Sequence, residues 1–235
     1  MARSVGLVSK YAKALEKFNN IFGFIPPGPS HLSVCLIKEE FYFTDGGATK
    51  EIREFKLDYD SESFCFNIIC VVPREKNAIP LSILIGDGIS RAELISEYEK
   101  CGGAVYYINA SRLFSAKKIY KSDLYHLCAK SRRKHQSPSA IGVYTHIILR
   151  TLEYAMDLGY IDMNNVSVSG EGLYNFSCLG AYLIGDGRVG FDISTLDSEI
   201  LKVNIDSESL YCPAFLRSNE KENQIDEFFS SLNNL

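Results

Sequence analysis

The sequence predicts a three-layer α/β/α sandwich with a mostly parallel sheet and an N-terminal antiparallel hairpin. Short apolar runs at 80–85 and 104–108 flank a helical pattern at 90–101, which is the order of a strand–helix–strand unit. A second helical pattern at 139–158 leads into a further strand-like run at 165–169. Such continuous apolar runs are typical of parallel strands buried on both faces.

The first third of the chain supplies the lead-in and the hairpin. Residues 8–20 have a short helical pattern, and the prolines at 26, 27 and 29 then favour an extended arm. We therefore interpret residues 1–50 as a lead-in arm. Alternation of apolar and polar residues at 51–59 and 63–72, around turn-forming residues, predicts the hairpin.

The remaining elements follow from the strand at 165–169. A glycine-rich turn leads to an apolar helix at 173–184, a strand at 189–193, another strand at 212–216 and a final helix at 223–232. The sequence has no internal repeat and no linker-like tract. With 235 residues, it is long enough for one sizeable core, so we expect a single domain over residues 1–235.

Charge and hydropathy exclude several classes of protein. A net charge of −4 argues against a nucleic-acid binder, and we interpret the basic run 130–134 as a solvated loop. No apolar run approaches the roughly 18 residues that span a bilayer, and the N-terminus lacks a signal-peptide core. We expect a cytoplasmic protein without a membrane or nucleic-acid partner.

The cysteine pattern favours neither a disulfide framework nor a metal site. The seven cysteines are an odd number, no Cys-x-x-Cys pair occurs, and most lie in apolar strings. We expect small buried side chains in a reducing compartment. The cluster of Asp123, His126 and Cys128 has the spacing of no zinc site. We expect no metal and no cofactor.

A resemblance to a family rests on residues 140–189. The helical stretch 141–154 and the string GYIDMNNVSVSG at 159–170 resemble the approach to the nucleophile elbow of α/β-hydrolases related to acetyl xylan and glucuronoyl esterases. FGFIPP at 22–27, the hairpin and the apolar strand ending at Ile85 are similar to the start of those enzymes. The resemblance covers most of residues 20–195 and implies an α/β-hydrolase fold.

The resemblance assigns each residue of the elbow motif Gly-x-Ser-x-Gly. Gly170 matches the first glycine, Glu171 and Leu173 the variable residues, and Tyr174 the last glycine. Gly172 stands where the family has its nucleophilic serine. Glycine suits that position because the elbow backbone is strained for other residues. The resemblance therefore implies a degenerate elbow without an attacking side chain.

The other catalytic elements of the family also have no clear counterpart. Such hydrolases place the acid and then the histidine after the serine, whereas His31, His126, His135 and His146 all precede Gly172. Glu220 and Glu222 are candidate acids, and we expect a C-terminally shortened fold. The resemblance places Gly86, Asp87 and Gly88 at the oxyanion loop, where the charge of Asp87 disfavours acyl transfer; a tight turn with an Asx hydrogen bond is the alternative.

Three functions remain open from the sequence. The first is a catalytically degenerate carbohydrate-esterase-like protein that binds carbohydrate, an acylated small molecule or a protein partner. The second is an active hydrolase with unusual catalytic residues, such as Ser169 or Ser177, or a fragment completed by another chain. The third is a nucleotide-binding protein, because the string from Gly170 to Asn175 resembles a truncated Gly-x-Gly fingerprint. An open sheet edge further suggests a homodimer.

Overall fold

The computed structural model describes residues 2–22, 31–42, 47–59, 62–75, 77–110, 140–185, 187–198, 218–233 and 235. The proline segment, the basic run, His126, His135 and the predicted strand at 212–216 lie outside the described residues. Six strands and five helices are described, in the order α1 (Ala2–Phe22), β1 (His31–Tyr42), β2 (Ala48–Tyr59), β3 (Glu62–Pro73), β4 (Ile79–Gly86), α2 (Arg91–Cys101), β5 (Ala104–Asn109), α3 (Ala140–Asp157), β6 (Ile161–Gly170), α4 (Tyr174–Ile184) and α5 (Ser218–Leu232).

The six strands form one mixed sheet in the order β1-β2-β3-β5-β4-β6. β4 and β5 pair in parallel, as predicted from the strand–helix–strand unit. The predicted hairpin is confirmed as β2 and β3. Antiparallel pairing extends beyond it on both sides, to β1 and to β5. The α/β fold class predicted from the sequence is confirmed.

The chain is divided into two compact units, and the prediction of one domain over residues 1–235 stays a prediction. Unit 1 comprises Met1–Pro26, Tyr125–Ile148 and Gly170–Leu235. Unit 2 comprises Pro27–Leu124 and Leu149–Ser169.

Unit 2 has a helix on each face of its sheet. On one face, Leu94 of α2 packs with Val71, Leu84 and Tyr107. Successive residues of a strand point to opposite faces of the sheet, so the neighbours of these strand residues lie on the other face. There the ring of Tyr154, in the second half of α3, meets the ring of Phe55 edge-on at a centroid distance of 5.1 Å.

The Tyr154 face of the sheet also buries a charged pair. Glu51 is buried, and the Arg53 Nε donates to its Oε2 at 2.6 Å. The Arg53 guanidinium lies 5.7 Å from the ring centroid of Tyr154, a cation–π geometry. Burial opposes the charge of Arg53, but the hydrogen bond with Glu51 and the electrostatic interactions with Tyr154, Glu51 and Cys70 together outweigh it, and the pKa of Arg53 is raised.

Unit 1 is a helical core of aromatic and aliphatic side chains. Its buried residues come from α1, the first half of α3, α4 and α5: Ala14, Phe18, Ile21, Phe22, Ile141, Phe176, Leu179, Leu183, Ile225, Phe228 and Leu232. The amphipathic pattern of these helices therefore leads to one shared core. A short helix was predicted at residues 8–20 within the lead-in arm. The observed helix α1 is longer, and its side chains contribute to this core.

Two predictions of local structure are wrong. No strand was expected at His31–Tyr42, where β1 forms the outer strand beside β2. The strand predicted at 189–193 is replaced by a 3-10 turn at Ile193–Thr195. The reason is the side chain of Asp192, which accepts a hydrogen bond from the Ser194 amide at 2.9 Å and so stabilises a turn in place of extended backbone.

The cysteines fit the expectation of buried thiols only in part. Cys70 and Cys178 are buried, and desolvation raises the pKa of both thiols. Cys101 is half-buried. The expectation is wrong for Cys35 on β1 and for Cys65 near the start of β3, which are both exposed.

In the part of the chain that the structure describes, no helix is both long and apolar enough to cross a membrane. Among the same residues, no three histidine, cysteine or acidic side chains are grouped closely enough to hold a metal ion.

Candidate functional site

The candidate site is the corner between strand β6 and helix α4. β6 ends at Gly170, and α4 begins at Tyr174, so the chain turns within three residues. Gly172, in the middle of this turn, has a φ of +54°. That left-handed conformation costs other L-residues free energy. The local sequence therefore produces a sharp strand-to-helix corner with glycine at its point of strain.

The corner is open above Gly172. Glu171 and Gly172 are both exposed. A Cβ built on Gly172 would have no atom outside the adjoining residues within 4 Å. Space for a side chain is thus present, and the obstacle to one is the backbone conformation.

Hydrogen bonds close the first turn of α4. The amides of Tyr174, Asn175 and Phe176 donate to the carbonyl oxygens of residues 171, 172 and 173, at N···O distances of 3.0, 3.2 and 3.2 Å. These amides are already engaged within the corner. They are therefore poor donors for a phosphate or another anion, which helix N-termini otherwise bind through free amides.

The side chain of Asn175 links the corner to the turn at Ile193–Thr195. It is buried, with 7% of its surface exposed. Its Oδ1 accepts a hydrogen bond from the Gly170 amide at 3.1 Å, and its Nδ2 donates to the carbonyl oxygen of Thr195 at 3.3 Å. Both halves of the carboxamide are thus used, as expected for a buried polar side chain.

The turn that receives Asn175 is stabilised by Asp192. Its Oδ1 accepts from both the amide and the hydroxyl of Ser194, at 2.9 and 2.7 Å. These hydrogen bonds lower the pKa of Asp192 because they stabilise its charged form. Asp192 and Asn175 were both missed by sequence reasoning about the site, although the spacing Asp192-x-Ser194 is a cap signal that indicates a turn.

The two serines considered as substitute nucleophiles have different surroundings. Ser169 is exposed near the end of β6. Ser177 is completely buried in α4, and its hydroxyl donates to the Ile141 carbonyl oxygen at 3.2 Å. Its hydroxyl proton is therefore engaged with the backbone, and a nucleophilic serine needs a base in that place.

The structure describes two of the four histidines, His31 and His146. His31 lies on β1 in unit 2, opposite Asp58 of β2. His146 is buried in the first half of α3, with 3% of its surface exposed. The candidate acids Glu220 and Glu222 lie in the first turns of helix α5.

Gly86, Asp87 and Gly88 connect β4 with α2 in unit 2. Gly86 is buried at the end of β4, and its carbonyl oxygen accepts from the Tyr107 hydroxyl at 2.9 Å. Asp87 and Gly88 are exposed. α2 then begins with a capping box in which Ser90 and Glu93 each bond the other's backbone amide. The predicted strand and helix on either side of these residues are confirmed, whereas the Asx hydrogen bond and the role as an oxyanion loop stay predictions.

Comparison with solved structures gives the fold. A glucuronoyl esterase from Solibacter usitatus matches with a TM-score of 0.61 and 13% identity, over 92% of this chain and 67% of that chain. A CE15 glucuronoyl esterase from Teredinibacter turnerae T7901 matches with a TM-score of 0.56 and 12% identity, over 76% of this chain and 49% of that chain. The chain has the α/β-hydrolase fold of glucuronoyl esterases.

A third structure with this α/β-hydrolase fold contains a ligand. It is a mutant glucuronoyl esterase from Sporotrichum thermophile in complex with methyl 4-O-methyl-β-D-glucopyranuronate, with a TM-score of 0.51 and 14% identity over 94% of this chain and 58% of that chain. This chain spans about half to two thirds of the length of the three esterases. No protein-family model and no curated protein matches the sequence.

Proposed function

We propose that this chain is a catalytically degenerate relative of carbohydrate esterases, which binds a ligand at the β6–α4 corner without cleaving it. The observation that carries the proposal is the combination of an elbow-like backbone with glycine at its point of strain. Acyl transfer by a serine hydrolase requires an attacking hydroxyl at the elbow. Gly172 has none.

The geometry of the corner supports a binding role. The strained turn, the exposed Gly172 and the open space above it are features of an elbow that receives a substrate. Removal of serine leaves room for a ligand group to approach the backbone more closely. The exposed carboxylate of Glu171 beside Gly172 favours a ligand that offers hydroxyl donors.

Carbohydrate is the ligand class that the comparisons favour. Each of the three esterases is a glucuronoyl esterase, and one contains a methyl glucopyranuronate. We therefore propose an uronate ester or another acylated sugar as the ligand. Hydroxyl-rich ligands match the polar, exposed character of Glu171.

The competing functions are less compatible with the hydrogen bonds of the corner. Ser177 donates its hydroxyl proton to a carbonyl oxygen, which disfavours an active esterase that uses this residue. The engaged amides of Tyr174, Asn175 and Phe176 disfavour nucleotide binding through phosphate.

The proposal is tested by measuring binding and turnover with the same compound. Methyl 4-O-methyl-β-D-glucopyranuronate is titrated into the isotope-labelled chain, and amide NMR shifts are followed. We expect shifts at residues 170–176 and no release of methanol. Ser167→Ala, an exposed change on β6, serves as a control that leaves binding unchanged.

Two results would count against the proposal. Release of methanol by the natural chain, abolished by a substitution at the corner, would make it an active esterase. Absence of shifts with both the uronate and an acetylated xylo-oligosaccharide would remove carbohydrate as the ligand class. The cytoplasmic location and the homodimer stay predictions; a monomeric mass by light scattering at micromolar concentration would argue against the dimer.

A further inference from the structure

We propose that Asn175 is a positioning residue that holds Gly172 in its left-handed conformation. The inference rests on the proposed function, because it identifies what keeps the proposed binding corner in shape. It assigns to Asn175 a role that the elbow motif itself does not contain.

Asn175 contacts the corner on both sides of Gly172. Its Oδ1 accepts from the amide of Gly170, two residues before Gly172. The main-chain N–H of Asn175 donates to the carbonyl oxygen of Gly172 at 3.2 Å. One residue therefore fixes the start of the turn and the carbonyl of its strained residue.

The third contact ties Asn175 to an independently stabilised turn. Its Nδ2 donates to the carbonyl oxygen of Thr195. The Thr195 amide and hydroxyl both donate to the Asp192 carbonyl oxygen, at 3.2 and 2.7 Å. The acceptor for Asn175 is thus held in place, and the orientation of the carboxamide is determined at both ends.

Glycine adopts either sign of φ readily, so a single left-handed conformation persists only where the surroundings determine the backbone. The Asn175 side chain is buried, so its hydrogen bonds do not compete with water in the folded chain. They prevent Gly172, which has a positive φ, from relaxing to a negative φ. A residue that merely filled space would not have this effect.

The test is a double-mutant cycle on the unfolding equilibrium, which needs no ligand. Gly172→Ala introduces a Cβ at positive φ, and we expect the unfolding equilibrium constant to rise about tenfold. In the Asn175→Ala background the corner can relax. There, Gly172→Ala is expected to raise the unfolding equilibrium constant about threefold or less. Urea denaturation followed by circular dichroism measures all four species.

Two matched controls separate positioning from general packing. Gly159 also has a positive φ, +72°, with no atom within 4 Å of a built Cβ. Gly159→Ala is expected to have the same effect with and without Asn175. Gly102 is the second control, since it has a φ of +64° and equally open space around a built Cβ. Gly102→Ala is also expected to have the same effect with and without Asn175.

If Asn175→Ala does not fold, Asn175→Leu, which keeps the volume but removes both side-chain hydrogen bonds, takes its place. Equal effects of Gly172→Ala in the natural and Asn175-substituted backgrounds would overturn the inference. A coupling of the same size for Gly159→Ala would also overturn it. Because no ligand enters the cycle, these results are independent of whether the chain binds carbohydrate.

Discussion

The hydroxyl group of Ser177 in α4 donates to the main-chain carbonyl oxygen of Ile141 in α3, at an O···O distance of 3.2 Å. The same carbonyl oxygen accepts from the Thr145 hydroxyl at 2.9 Å. The Thr145 hydroxyl also lies 3.1 Å from the Ser177 carbonyl oxygen. These contacts join two helices through buried polar groups, and they give Ser177 a structural role.

Replacement of Ser177 should therefore change stability and leave activity unaffected. Ser177→Ala removes one buried hydrogen bond, and we expect the free energy of unfolding to fall by about 1 kcal/mol. No turnover of p-nitrophenyl acetate is expected from the natural chain or from Ser177→Ala. Ser169→Ala is the exposed control, with an expected effect within about 0.5 kcal/mol. Loss of a measurable esterase activity in Ser177→Ala would contradict this role.

Close packing of α4 in unit 1 depends on Gly180. A Cβ there would lie 2.6 Å from the Thr145 Oγ1 and 2.8 Å from the Phe18 ring. We expect Gly180→Ala to lower the free energy of unfolding by about 2 kcal/mol, because overpacking forces neighbours to move. Gly88→Ala, with nothing within 4 Å, is the control and should be neutral or slightly stabilising. Equal effects in thermal denaturation would show that the helices are not closely packed.

The ion pair between the buried Glu51 and the half-buried Arg53 should stabilise unit 2. Glu51→Gln keeps the volume and removes the charge that accepts from Arg53 at 2.6 Å. We expect a loss of about 2 kcal/mol, typical of hydrogen bonds to charged groups. Glu54 is half-buried on the opposite face of β2, and Glu54→Gln should cost less than about 0.5 kcal/mol. Urea denaturation compares the two variants, and equal losses would argue against the pair.

The carboxyl group of Asp192 should titrate below the usual pKa of aspartate, about 3.9. Hydrogen bonds from the Ser194 hydroxyl and amide lower its pKa. A carboxyl group whose pKa is lower in the folded state stabilises the fold at pH values above its unfolded-state pKa. This contribution is lost as the pH falls through the folded-state pKa. Carboxyl carbon NMR is the measurement, and Ser194→Ala should raise the pKa of Asp192. The carboxyl group of Asp162, whose pKa is lowered by Asn164 and Asn165, should not respond.

The sequence predicted the elements whose pattern is local. β4 and β5 are apolar runs, and α3 has helical spacing, so their positions followed from periodicity. β1 did not, because a bulge between Leu36 and Lys38 interrupts its alternation and leaves Leu36 and Ile37 exposed. The resemblance to esterases anticipated the strained conformation of Gly172.

The side-chain hydrogen bonds of Asn175 that hold the corner could not be predicted in the same way. Asn175 and Thr195 are 20 residues apart, and their hydrogen bond depends on how the chain returns after α4. In the sequence, Asn175 suggested only the missing third glycine of a nucleotide fingerprint. A short polar residue in the first turn of a helix is a common local signal, and the contact it makes is tertiary.

The most direct test of the central claim is reaction with a fluorophosphonate, which modifies an activated serine. The chain is incubated with the reagent beside a known serine esterase, and both are measured by intact-protein mass spectrometry. We predict no added mass on this chain, because Gly172 offers no hydroxyl and Ser177 is engaged with Ile141. Stoichiometric modification of any serine, located by peptide mapping, would contradict the account.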